Sequence, residues 1–360
     1  MQLDLSDPVL AEKLNRSIHT LAGRLNRPVK LMEVCGTHTV SLRQHGIHSL
    51  LPHNITLVSG PGCPVCVTPS GYIDNAFELI EKHDCIVASF GDMLKVPGGD
   101  GRALSSIMGS NAVKMIYSPM DLAGVCEKAS QPVVFLGIGF ETTIPTVLAG
   151  LKRAVQSGTD NLFLYTAFKT VPPALDFLLA QSEIGVDGFI LPGHVSVIIG
   201  SNAYALLRKE NGIPGAITGF EPIDMLVGIR SLLTMLLSGE RDVQNEYPRA
   251  VKDGGNSRAL SLMNKMLRPY DAEWRGIGKI SHSGLKLREA FTRHDAAVVF
   301  ELPQESDHHA PGCLCAKVIQ GLARPPECGF FGARCTPEDP VGPCMVSSEG
   351  TCAAYLRYGG

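Results

Sequence analysis

Eight short apolar runs govern what this chain can fold into. They cover 29–34, 55–59, 85–90, 113–117, 133–138, 162–167, 188–191 and 216–219, and turn-forming residues close each one. Between them, 73–82, 121–128, 146–156 and 174–179 carry apolar residues at helical spacing. A strand that is apolar throughout is buried on both faces, and repeated strand–helix alternation builds parallel sheets covered by helices. The expected architecture is α/β: two parallel-sheet domains flanking a cleft, then a Cys-rich C-terminal domain. The expected divisions are an N-terminal helix within 1–27, a first α/β domain at 28–125, a second at 126–240 and the Cys-rich domain at 241–360. The first helix is expected over 8–25, with Ser6 or Asp7 as N-cap and Pro8 at its first position. Gly-Phe-Glu occurs after a strand twice, at 139–141 and 219–221, a faint sign of related units.

In open α/β sheets, ligands sit beyond the carboxyl ends of the strands. Those positions carry Cys35, Cys63, Asp92, Glu141, Lys169, His194 and Glu221. A formal net charge of −3 gives no electrostatic reason to expect nucleic acid or an anionic membrane as partner. The opening residues include early acids and no apolar core of a secretory signal, and no apolar run approaches the roughly 18 residues of a membrane span. The expected location is therefore cytoplasmic. In a reducing compartment, 11 cysteines are more readily metal ligands or redox groups than structural disulfides.

Six of them crowd the C-terminus, at 313, 315, 328, 335, 344 and 352, with Gly and Pro beside nearly every one. Such a segment cannot build a conventional apolar core and needs a metal centre or cross-links to hold its shape. Structural zinc usually takes two short Cys-x₂₋₄-Cys clamps, and the segment has no Cys-x-x-Cys. From Cys315 onward the spacings are 12, 6, 8 and 7 intervening residues, which favours a [4Fe–4S] cluster. Near the N-terminus, Gly60-Pro61-Gly62-Cys63-Pro64-Val65-Cys66 follows a strand, as a redox dithiol does. A helix starting after it would lower a thiol pKa. Cys35-Gly36-Thr37-His38-Thr39 also ends a strand and offers two metal-ligand types, with Thr39 as a candidate cap for the helix that follows. His194 follows another strand and is placed to face a cleft. Cys85 and Cys126 read as core residues. Gly137-Ile138-Gly139 resembles part of a phosphate loop but lacks a full G-x-G-x-x-G, so nucleotide binding is weakly supported, and no P-loop or G-x-S-x-G is present.

Taken in order, these motifs resemble a known family. Met32-Glu33-Val34-Cys35-Gly36-Thr37-His38-Thr39, Gly60-Pro61-Gly62-Cys63-Pro64-Val65-Cys66, Pro192-Gly193-His194-Val195-Ser196, Gly219-Phe220-Glu221-Pro222 and Met345-Val346-Ser347-Ser348-Glu349-Gly350 are together similar to the hydrogenase maturation factors of the HypD type. The resemblance implies a scaffold and redox protein on which the Fe(CN)2CO unit of [NiFe]-hydrogenase is built. It implies a small HypC-type chaperone as partner and a HypE-type cyanide donor, charged upstream by HypF. By the same likeness Cys35 holds the iron, Cys63 and Cys66 form the dithiol beside it, and Cys315, Cys328, Cys335 and Cys352 hold the cluster, with Cys313 and Cys344 as extra thiols. Electrons are then expected to run from the cluster through the dithiol to the iron, and His38, His194, Asp92 and Glu221 to orient ligands or protons. Two rival readings stand beside it: an iron–sulfur thiol–disulfide reductase acting on a protein substrate, and an interaction scaffold whose cluster only stabilises the fold.

Overall fold

The computed structural model describes residues 7–209, 212–308 and 310–359. Its first helix runs Pro8–Leu25, with the Asp7 carboxylate accepting from the backbone N–H groups of Val9 and Leu10. That satisfies two donors a helix start leaves open. Ser6, the other candidate cap, lies outside the described residues.

Among the described residues eleven strands follow: β1 (Val29–Glu33), β2 (Ile55–Ser59), β3 (Ile86–Ser89), β4 (Val113–Met115), β5 (Val133–Gly139), β6 (Leu162–Lys169), β7 (Gly188–Pro192), β8 (Gly215–Thr218), β9 (Val243–Asn245), β10 (Leu267–Trp274) and β11 (Gly278–Leu287). The first eight match the eight apolar runs to within a few residues. They form two sheets, ordered β2-β1-β7-β8-β9 and β10-β11-β6-β5-β3-β4. The first is parallel throughout. The second is parallel from β6 to β4, and β11 joins β6 antiparallel at its other side.

Two features differ from the sequence reading. The strands do not divide between the sheets near residue 125. β1 and β2 pair with β7–β9, while β3–β6 lie between them in sequence and build the other sheet. Each α/β layer thus draws on both of the segments expected to be separate, because strand order in a parallel sheet is set by crossover connections rather than by proximity in sequence. In addition, part of the segment expected to be Cys-rich and irregular contributes the β10–β11 hairpin, turned by Gly276 and Gly278 at φ of 72° and 98°.

The helix Pro8–Leu25 and the long helix Pro222–Ser238 pack together over the first sheet through Leu14, Ile18, Ile229 and Leu233. A second core joins the sheets to the C-terminal segment: Val34, Phe140, Leu175 and Trp274 share it with Cys63, Cys66, Cys335, Cys344 and Cys352. The Cys-rich segment is therefore part of the central core. Its last helix, Thr351–Tyr358, lies on the helix Gly36–Gln44, where the Arg43 guanidinium stacks 3.5 Å from the Tyr355 ring centroid. Among the described residues, no helix is long and apolar enough to cross a membrane.

Candidate thiol and metal centre

Cys35 stands where β1 ends and the helix Gly36–Gln44 begins, in extended conformation at the N-cap. The helix starts at Gly36, so Thr39 lies inside it and is not its cap; its hydroxyl donates instead to Glu33. Two glycines fix the surroundings of Cys35. A Cβ on Gly62 would sit 2.5 Å from Cys35 Cα, and Gly36 N–H donates to Gly62 O at 3.1 Å, so the Gly60–Cys66 turn lies directly on Cys35. A Cβ on Gly36 would overlap the backbone carbonyl of Glu349, so only glycine admits this approach of the C-terminal segment. The Thr37 hydroxyl donates to Glu349 Oε1 at 2.7 Å. Burial and the neighbouring Glu349 charge push the Cys35 thiol up to about 11.

Cys63 and Cys66 are buried free thiols, with Cys66 Sγ donating to Cys63 Sγ at 2.6 Å. No helix-dipole effect lowers Cys66. The chain turns after the motif, the next helix begins only at Gly71, and burial drives the Cys66 thiol well above its ordinary range. Cys66 Sγ also lies 3.8 Å from the carbonyl of Pro343, the residue before Cys344, and Cys344, Cys352 and Cys315 pack in the same core. Cys313 and Cys315 both border Gly342, where an added Cβ would sit 3.2 and 2.6 Å from their sulfurs. Thiols from the two ends of the chain thus meet at one buried place.

Of the four thiols expected to hold a cluster, Cys315, Cys335 and Cys352 belong to this group. Cys328 Sγ faces Gly312 O at 3.9 Å, and Cys344, expected to be an extra thiol, sits among the others. Among the described residues, no three metal-ligating side chains stand ready around a single ion. The chemistry of the donor set nevertheless fits an iron–sulfur cluster: soft sulfur donors, largely buried, on turns rich in glycine and proline.

The two histidines share a ring stack. His38 is fully buried, with Phe220 stacked on it at 4.7 Å between centroids, and His194 also stacks on Phe220 at 3.9 Å. His38 Nε2 lies 3.0 Å from Gly219 O, and a carbonyl only accepts, so Nε2 carries the proton. Nδ1 has no hydrogen-bond partner among the described residues. Burial holds His38 down to about 4, so it is neutral. His194 is exposed on its other face; desolvation against its neighbours lowers it, and Glu349 opposes the shift. Asp92 accepts hydrogen bonds from Ser347 and Ser348, tying the second sheet to the C-terminal segment. Glu221 is exposed at the N-cap of Pro222–Ser238, where its side chain makes no capping bond. A cavity of about 420 Å³ runs between Pro64, Val65, Asp92 and Glu349.

Several polar residues of the site left no signal of their own in the sequence. Glu33 is buried beside Cys35, accepts from Ser59 at 2.8 Å, and is pushed up to about 7 by burial. Glu349, which accepts from Thr37, belongs with it. Both carboxylates sat within motifs already singled out, but neither has a spacing that marks it as part of the site.

Fold and site define a thiol-centred α/β protein, in which two interleaved sheets present one half-buried cysteine beside a buried dithiol and a Cys-rich C-terminal segment. The family profile described as "HypD: Hydrogenase formation hypA family" matches residues 9–359. The chain is 39% identical over 342 residues to the hydrogenase maturation factor HypD2 of Bradyrhizobium diazoefficiens, covering 92% of this chain and 90% of that relative. It is 38% identical over 351 residues to hydrogenase maturation factor HypD of Escherichia coli, covering 97% and 94%. It is 37% identical over 367 residues to that of Rhodobacter capsulatus, covering 99% and 97%. The chain belongs to the HypD family of hydrogenase maturation factors.

Proposed function

We propose that this chain is the scaffold on which iron receives cyanide and carbonyl ligands to become the Fe(CN)2CO unit of [NiFe]-hydrogenase, with Cys35 as the protein ligand to that iron. The observation that carries this reading is the placement of Cys35. It ends a rigid strand, it is half-buried, and the turn bearing Cys63 and Cys66 is pressed against its backbone through Gly62. Low-spin iron with cyanide and carbonyl favours a soft thiolate, and metal binding removes the proton that burial otherwise retains. The cavity bounded by Pro64, Val65 and Glu349 gives space beside the dithiol for a partner's segment. A small HypC-type chaperone supplying a second thiolate, and a HypE-type cyanide donor with HypF upstream, complete the assembly.

When bound, a [4Fe–4S] cluster supplies one-electron redox chemistry, held by Cys315, Cys335, Cys352 and either Cys328 or Cys344. The dithiol has its own capacity: closing Cys63 and Cys66 into a disulfide releases two electrons and two protons. Their depth in the core argues against the rival role of reducing disulfides on a protein substrate, since attack on a large partner needs an accessible thiolate.

Infrared spectroscopy of the chain purified with its small partner tests the central claim. Cyanide and carbonyl stretches are expected in the wild type and absent in Cys35→Ala; bands surviving in that variant would refute Cys35 as ligand. Iron and sulfide content of Cys328→Ser and Cys344→Ser identifies the fourth cluster ligand, and loss of the centre in only one of the two is the expected result.

A further inference from the structure

We propose that Glu33 is a positioning residue, whose buried side chain fixes the helix headed by Cys35 against the strand that leads into the dithiol turn. This rests on the reading that Cys35 holds the iron under assembly. Glu33 is the last residue of β1, and Ser59, its partner in register, is the last of β2. The Ser59 hydroxyl donates to Glu33 Oε1 at 2.8 Å. Thr39, in the first turn of the helix Gly36–Gln44, donates to the same oxygen at 3.3 Å. Thr39 N–H in turn donates to Cys35 O at 3.2 Å. On the main chain, Gly60 N–H donates to Glu33 O at 2.8 Å, at the start of the turn that carries Cys63 and Cys66. One residue thus bonds both to the helix that follows Cys35 and to the junction from which the dithiol turn departs.

Glu33, Thr39 and Ser59 are all buried, and Glu33 Oε2 has no hydrogen-bond partner among the described residues. A carboxyl is a costly way to fill a core, and an apolar side chain of similar size would pack there without the desolvation. Nor is it needed to hold the strands together, since β1 and β2 pair through five residues of parallel ladder. What the carboxyl adds is direction, because hydrogen bonds specify an angle that apolar contact leaves free. That angle matters at one place. Gly36 N–H donates to Gly62 O at 3.1 Å, joining the start of the Cys35 helix to the dithiol turn. A reactive group works only when its neighbours hold it within about 0.5 Å of the productive geometry. A purely structural Glu33 would stabilise the fold as a whole and leave this junction no more affected than the rest.

The test compares Glu33→Leu, which removes the acceptor, with Glu33→Gln, which keeps one acceptor oxygen, in the full-length protein. Amide hydrogen exchange is read by mass spectrometry over 33–40 and 60–66. Cyanide and carbonyl bands per chain are then read by infrared spectroscopy of the protein purified with its small partner. In Glu33→Leu, exchange at the junction is expected to rise about tenfold, the effect of about one lost hydrogen bond, with exchange elsewhere unchanged. The bands are expected to fall by a similar factor. Glu33→Gln is expected to stay within about threefold of wild type in both measurements. Junction exchange unchanged in a folded Glu33→Leu overturns the proposal, and so does an equal rise throughout the chain. Loss of the bands from Glu33→Gln with normal exchange also overturns it, since the carboxylate would then act chemically. If Glu33→Leu does not fold, Thr39→Val and Ser59→Ala each remove one donor; faster exchange confined to the junction supports the proposal, and unchanged exchange in both overturns it. Wild-type protein without cyanide or carbonyl bands refutes the reading of Cys35 itself, a result distinct from any variant effect.

Discussion

Glu141 shows how burial of a single carboxylate reaches the behaviour of the whole chain. It sits beyond the end of β5 with one oxygen accepting from Val171 N–H at 3.0 Å and the other without a partner among the described residues. Burial pushes it from 4.5 up to about 7. The folded state therefore holds the proton more tightly than the unfolded chain. The associated stability is complete below the unfolded value and is lost as pH rises through about 7. In Glu141→Gln this loss is expected to disappear. Between about pH 5 and pH 8 its urea-unfolding stability should fall about 1–3 kcal/mol less than that of wild type. Parallel pH profiles for the two proteins would contradict this. At this scale the sequence was informative about sulfur and nearly silent about charge. Cys35, Cys63 and Cys66 stand in motifs whose spacing has chemical meaning. Glu33 matters because of what folds over it, and a lone charged residue carries no record of that.

Among the elements, the helix Gly36–Gln44 is the meeting point of the molecule. It begins at Cys35, bonds to the Gly62 carbonyl, and carries the C-terminal helix Thr351–Tyr358 on its flank. Gly36→Ala forces a methyl group to within 2.6 Å of Glu349 Cβ, and neither backbone can yield without moving an element. The expected cost is about 1–3 kcal/mol, read from the urea midpoint. Thr37→Val removes only the hydroxyl that Glu349 accepts and is expected to cost about 1 kcal/mol. Equal effects from the two substitutions would show that the close backbone approach is not limiting. Strands β1 to β8 were legible because each is an apolar run closed by turn residues. The β10–β11 hairpin was not, since its residues Arg268, Tyr270, Lys279 and His282 give polar texture to a ladder that buries only part of itself.

For the whole molecule, the governing fact is that the sheets are interleaved along the chain. This could not be read locally, because a strand followed by a helix looks the same whichever sheet it enters. A fragment spanning 28–125 would carry β1–β4, yet it lacks β7, which pairs with β1, and β5, which pairs with β3. It is expected to remain unfolded, with little amide dispersion by NMR; a cooperative unfolding transition from that fragment would contradict the topology. The same threading has a consequence for biosynthesis. Chains emerge from the ribosome N-terminus first. The first sheet must wait for Val243–Asn245 and the second for Leu267–Leu287 before either gains its last strand. The sulfur atoms that complete the centre emerge later still. Gathering the buried thiols into one place is thus an event of the nearly finished polypeptide, and a nascent chain stalled short of its final helix leaves the flank of Gly36–Gln44 uncovered.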